Sequence, residues 1–239
     1  MFPRIPFLCL LLSPSLLVAA DPPWMTKQLA EWGEQDSRLV LSNSPWVKMA
    51  TPSMLAILNS YQRREGGDMG AGSGGKGGPG LEAAQGTSLI GGKPGQPAAR
   101  PEAALSRIKM QIRWESALPI RSAEFRINEP GAPVLEGDEY AIAVYGVSLR
   151  TALLEPKNAE ETLKKTATLK IEWKKDVKPS RVAVIELGGG MATVVYMFPR
   201  TQPITVDDKR VDLTLQIGRY YFAQSFYPPE MQLLGKLAL

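Results

Sequence analysis

The stretch "RIKMQIRW", Arg107 to Trp114, decides the fold. Apolar and polar residues alternate through it. Ile108, Met110, Ile112 and Trp114 share one face, and Arg107, Lys109, Gln111 and Arg113 share the other. Successive side chains of a strand point to opposite faces of its sheet, so period two predicts a half-buried strand. On that pattern Arg113 belongs to the solvent face, and so does Glu115 in the "IRWES" that follows.

The same period recurs downstream. "EYAIAVYGV" gives a strand from Glu139 to Val147. "TATLKIEWKK" sets Leu169, Ile171 and Trp173 on one face and Lys170, Glu172 and Lys174 on the other. "SRVAVIEL" and "MATVVYMF" flank Gly188-Gly189-Gly190, and "RVDLTLQI" and "RYYFAQSF" flank Gly218. Apolar runs joined by glycine turns read as hairpins. "LLGKLAL" closes the chain as a short strand. "LPIRSAEFRI" and "NAEETLKK" read as short helices. Seven or eight hairpin-linked strands imply an antiparallel sandwich or partly open barrel.

The N-terminal third is different. Thr26 caps a helix in which Leu29, Trp32, Leu39 and Val40 recur at helical spacing. Ser44-Pro45 and Thr51-Pro52 each look like a cap followed by proline at the first helical position. Met54, Leu55, Leu58 and Tyr61 continue a stripe toward Arg64. Two or three short helices are therefore expected from residue 26 to 64. Thirteen of the chain's 22 glycines lie between Gly66 and Gly95. Such a segment cannot bury enough apolar surface to offset its ordering entropy, so disorder is expected. The expected layout is a leader over 1–20, a helical segment over 21–65, a Gly/Pro-rich loop over 66–103 and an antiparallel β domain over 104–239. The fold class is α+β. The helical segment bears three tryptophans but is near the lower size limit for folding alone without disulfides or metal, so it should dock on the sheet.

"MFPRIPFLCLLLSPSLLVAA" has Arg4, an apolar run from Ile5 and small residues at Val18 and Ala20. That is the layout of a cleaved signal peptide, predicting export to the periplasm or beyond, with no membrane span after cleavage. Cys9, inside this leader, is the only cysteine of 239 residues, and there is no histidine. Serine–histidine triads, cysteine–histidine dyads and His/Cys zinc sites are thereby excluded. Carboxylate, lysine and tyrosine chemistry remain.

"GAGSGGKGG", Gly70 to Gly78, imitates a phosphate loop. Gly77 stands where the magnesium-binding Ser or Thr belongs, and no strand or helix flanks it. It reads as a tether, and no nucleotide or other cofactor is expected. The net charge is +4, with 28 basic and 24 acidic residues and no long run of one sign, so nucleic acid is not an expected partner. Glu115 and Glu172 flank similar tryptophans and could pair as glycosidase carboxylates if they converge. Asp207-Asp208 could bind calcium or work with Glu186, but "VDDKR" reads first as a turn. In "RYYFAQSFYPPEM", Tyr220, Phe222, Phe226 and Tyr227 either pack the last hairpin or line a groove. Tyr221 points the other way. Tyr221 and Tyr227 are the candidate surface aromatics, and no catalytic or metal residue is assigned.

The segments "LAEWGEQDSRLVLSNSPWVK", "RWESALP" (Arg113 to Pro119) and "GKLAL" (Gly235 to Leu239) resemble a group of secreted bacterial proteins. The resemblance implies export and a single helical-plus-β unit. It implies no activity. Composition and motifs together favour a non-enzymatic binding or structural module of the bacterial envelope, with a protein or polysaccharide ligand. A carboxylate-dependent carbohydrate hydrolase is the alternative.

Overall fold

The computed structural model describes residues 21–54, 108–152, 154 and 158–239. The expected leader, the continuation of the helical stripe to Arg64 and the glycine-rich loop lie outside them. Two antiparallel sheets carry the chain. The larger is built from β1 (Val47–Ala50), β3 (Met110–Trp114), β4 (Glu139–Ser148), β7 (Met191–Pro199) and β6 (Arg181–Gly188), in that spatial order. The smaller runs β2 (Ser53–Met54), β9 (Tyr220–Phe226), β8 (Val211–Ile217), β5 (Thr168–Ile171). The chain is α+β with a sandwich-like arrangement, as the alternation implies.

The two inner faces make the core. Ile112, Trp114, Ile142, Val144, Val194, Tyr196 and Phe198 meet Leu169, Val211, Leu213, Leu215, Tyr220, Phe222 and Phe226, all buried. Trp114 joins the sheets, standing edge-on to Tyr140 at 5.7 Å and to Phe226 at 5.2 Å between ring centroids. Edge-to-face contact of this kind suits the aromatic quadrupole. Both expected hairpins form. Gly188, Gly189 and Gly190 all have positive φ between β6 and β7, and Gly218 (φ 57°) opens the turn from β8 to β9. These are conformations that glycine adopts without a Cβ clash.

Helices add a third layer. After α1 (Pro23–Thr26) and a 3-10 turn (Leu29–Glu31) comes α2 (Glu34–Ser42), which packs on α3 (Leu118–Ile127). Asp36 starts α2. Its carboxylate accepts the Gly33 N–H at 2.9 Å and meets Lys27 Nζ at 2.9 Å, and these two contacts hold it below the usual carboxylate range. Asn128 ends α3 in the left-handed region at φ 49°. Two further helices, α4 (Leu149–Ala152) and α5 (Ala159–Thr166), follow β4, and α5 lies against both β6 and β8 where the sandwich would otherwise open. A ribbon of β10 (Gln232–Leu233) and β11 (Lys236–Leu237) turns on Leu234 and Gly235 with φ of 48° and 78°.

The segment after α2 departs from expectation. Ser44 and Pro45 do not start a helix. The Ser44 hydroxyl donates back to Val40 O at 2.6 Å and closes α2 instead. Val47–Ala50 then pairs with β3, and Ser53–Met54, beyond Thr51-Pro52, pairs with β9. The chain thus passes from one sheet to the other at residues 51 and 52. Two sheet edges needing partners prevailed over two local helix-start signals. Trp24, Trp32 and Trp46 are buried in the same cluster as Trp114. Trp46 Nε1 donates to Ala238 O at 2.6 Å, and Leu234 N–H donates to Trp24 O at 3.0 Å, so the ribbon also grips this segment. No helix among the described residues is long and apolar enough to cross a membrane.

Candidate functional site

Two expectations fail on the outer face of the larger sheet. The strand pattern assigns Arg113 and Glu115 to solvent, yet they are 5% and 0% exposed. Alternation correctly opposes them to Trp114, but α3 covers their face. Under it Arg113 stacks on the Tyr145 ring, its guanidinium carbon 4.5 Å from the centroid. Its nitrogens donate to Gln111 Oε1 (2.9 Å), Glu129 Oε1 (3.1 Å) and Glu124 Oε1 (3.5 Å). Gln111 Nε2 in turn donates to Leu41 O of α2 at 2.7 Å. Glu124, from the middle of α3, also faces Arg121 Nη1 at 3.6 Å. The Tyr145 hydroxyl lies 2.8 Å from Glu115 Oε1 and 3.5 Å from Glu124 Oε1.

Two carboxyls therefore converge on one phenol in a dry place. Burial, then the neighbouring Glu124 charge, pushes Glu115 well above the usual carboxylate range. Burial raises Glu124 too, opposed by the Glu115 carboxyl and by the cations Arg113 and Arg121. Burial and both carboxylates push the Tyr145 hydroxyl up, so it keeps its proton and donates. With Glu115 neutral, Arg113 and Arg121 balance Glu124 and Glu129. With Glu115 ionised, one uncompensated negative charge sits beneath α3, which a low-dielectric site resists.

Chemically this arrangement is closed. Glycosidase carboxyls stand about 5–10 Å apart, with a sugar between them. Glu115 and Glu124 share one hydroxyl, are 0% and 4% exposed, and line none of the cavities found beside them. Glu172 is not their partner. It lies in the turn after β5 of the other sheet, its N–H on Arg210 O at 3.4 Å. Glu186 lies near Glu160 and Glu161 around a depression of about 330 Å³ floored by Leu149, Leu154 and Val184, away from the Asp207-Asp208 turn. Asp208 is a turn anchor. Burial would raise it, but Lys174 Nζ (2.7 Å) and the N–H and hydroxyl of Thr205 outweigh burial and hold it low. No cluster of three or more Asp, Glu, His or Cys suited to a metal occurs among the described residues.

The aromatics divide clearly. Tyr220, Phe222 and Phe226 are buried, so they pack the core. Tyr221 stands on the outer face of the smaller sheet and Tyr227 just beyond β9, 39% and 41% exposed, with Lys48 Nζ 5.8 Å from the Tyr227 ring centroid.

Trp173 is the residue that alternation misplaced. The strand stops at Ile171, and Lys174 N–H closes a tight turn on Ile171 O at 3.0 Å. Trp173 occupies the third position of that turn at φ 64° and is 96% exposed. That position in a type II turn belongs to glycine, and a side chain there costs about 1–2 kcal/mol. The period-two signal gave no warning, because a turn of this type normally announces itself with Gly or Asn. Searches against protein-family models, curated proteins and solved structures return no match.

Proposed function

We propose that this chain is an exported, non-enzymatic binding module of the bacterial envelope. The observation that carries the reading is the inversion of its chemistry. The acids that converge are sealed beneath α3, while the aromatics suited to contact stand outside at Trp173, Tyr221 and Tyr227. Catalysis needs its acid within reach of substrate. Exposed apolar surface marks sites of recognition. Export rests on the leader pattern of residues 1–20.

The hydrolase alternative would need Glu115 and Glu124 to part and admit a sugar ring. Neither carboxyl reaches solvent, and Arg113 of β3 fastens α3 over them through Glu124 at 3.5 Å. The test is co-sedimentation with washed envelopes and with lipid-free sacculi, followed by an assay of the supernatant for new reducing ends. Saturable retention without new reducing ends supports a binding module. Release of sugar, or no retention on any fraction, refutes it.

A further inference from the structure

Trp173 is the most exposed large apolar residue in the structure, and it is held in place rather than hanging free. Lys174 Nζ fastens its turn to Asp208 Oδ2 at 2.7 Å and to Pro203 O at 2.8 Å. Lys175 N–H donates to Gln202 Oε1 at 3.1 Å. Just below the turn, Val177 bridges back to Leu169 in both directions, at 2.8 and 2.9 Å. A glycine would satisfy this backbone better, and a bulky residue kept where the backbone resists it points toward use.

The charge of its segment is uneven. Six of the chain's 28 basic residues, Lys164, Lys165, Lys170, Lys174, Lys175 and Lys178, lie in residues 164–178, against two of its 24 acids, Glu172 and Asp176. The remainder of the chain is balanced at 22 against 22, so this hairpin and the helix end before it carry the whole +4 excess. Lys178 Nζ donates to Lys165 O at 3.2 Å at the base of the hairpin, and Lys174 is paired with Asp208, which leaves Lys170 and Lys175 as the lysines beside the turn. An indole on a convex tip, lining none of the cavities described above, is poorly shaped to grip a peptide or a sugar chain. Indoles favour the bilayer headgroup region, where one end is apolar and the other wet, and lysines beside them add attraction to anionic lipid.

We infer that the Trp173 turn is an interfacial anchor that seats its indole in the headgroup layer of a membrane carrying anionic phospholipid, with Lys170 and Lys175 supplying the electrostatic contact. The inference rests on the reading of the chain as a binding module and names its partner.

The tryptophans provide the test. Of the five, Trp24, Trp32, Trp46 and Trp114 are at most 8% exposed, so an aqueous quencher such as acrylamide reads Trp173. The full chain is titrated with vesicles of equal parts phosphatidylglycerol and phosphatidylcholine. Emission should move to the blue and quenching should fall, with neither change on phosphatidylcholine alone. K170Q and K175Q should each weaken binding about fivefold. W173G should lose most vesicle binding in co-sedimentation while melting at or above the wild-type temperature, which separates loss of contact from loss of fold. The inference is overturned if Trp173 stays equally open to acrylamide on anionic vesicles, including when another segment attaches the chain. Equal protection by soluble polyglutamate also overturns it, assigning the turn to an acidic polymer. If Trp173 gains no protection on anionic vesicles while the wild type is retained on lipid-free sacculi, the lipid assignment alone has failed and the binding-module reading survives.

Discussion

Glu115→Gln is the perturbation that interrogates the buried cluster most directly. Glutamine keeps the volume and the oxygen that accepts the Tyr145 hydroxyl at 2.8 Å, and it removes the proton that can be lost. The native carboxyl holds its proton more tightly than the unfolded one, whose value is near the ordinary 4.5. Above that pH the native state therefore binds more protons than the unfolded state, and stability falls as pH rises. The contribution is fully present below the unfolded value and is lost as pH climbs toward the native one. Wild type and E115Q should thus differ by a constant at acid pH. Their difference should then widen in favour of E115Q by about 1.4 kcal/mol per pH unit, for as long as the native carboxyl stays protonated. In a chain of this size each kcal/mol moves the melting temperature by about 2–4 °C. The assay is a set of paired urea and thermal melts at unit steps from pH 4 to pH 8. Parallel curves across that range, or a wild type that gains on E115Q as pH rises, would show that Glu115 is ionised in the fold and would refute the reasoning.

Three further substitutions extend the account. E124Q removes the anion between two cations, and because the Arg113 charge stays buried it should cost about 3 kcal/mol at neutral pH in urea denaturation. Trp114→Ala empties the contact between the two sheets and should cost about 3–5 kcal/mol, or prevent folding outright, as judged by near-ultraviolet dichroism. Leu234 sits at φ 48° in the turn of the C-terminal ribbon, so L234N should raise stability by about 0.5–1 kcal/mol in the same melts, and a loss would show that its side chain contributes more than its backbone costs.

The strands and hairpins were legible because period-two alternation and positive-φ glycines are local signals. Gly188 to Gly190 and Gly218 mark their turns in sequence and in space. α3 was legible as a helix, but its position over β3 was not, and that position changes the meaning of Arg113 and Glu115. Alternation says which residues share a face and is silent on whether something covers that face. Helix-start signals at Ser44-Pro45 and Thr51-Pro52 misled for a related reason: the pairing partners of β1 and β2 lie about sixty and a hundred and seventy residues away. At Trp173 the pattern was carried two residues past the end of its strand. Nothing local distinguishes a tryptophan that finishes a buried face from one that occupies a glycine's place in the next turn. The exposure of Tyr221 was legible from register alone, because no described element covers it, whereas Tyr227 is exposed because it stands beyond the end of β9.

The central claim is that the converging acids serve the fold and the outer surface serves the function. The most direct measurement compares retention of wild type, E115Q and W173G on washed envelopes at neutral pH, with reducing ends assayed in each supernatant. The account predicts that E115Q is retained as well as wild type, that W173G is retained less, and that none of the three releases sugar. Sugar released by wild type and abolished in E115Q would contradict it, and so would loss of retention in a folded E115Q.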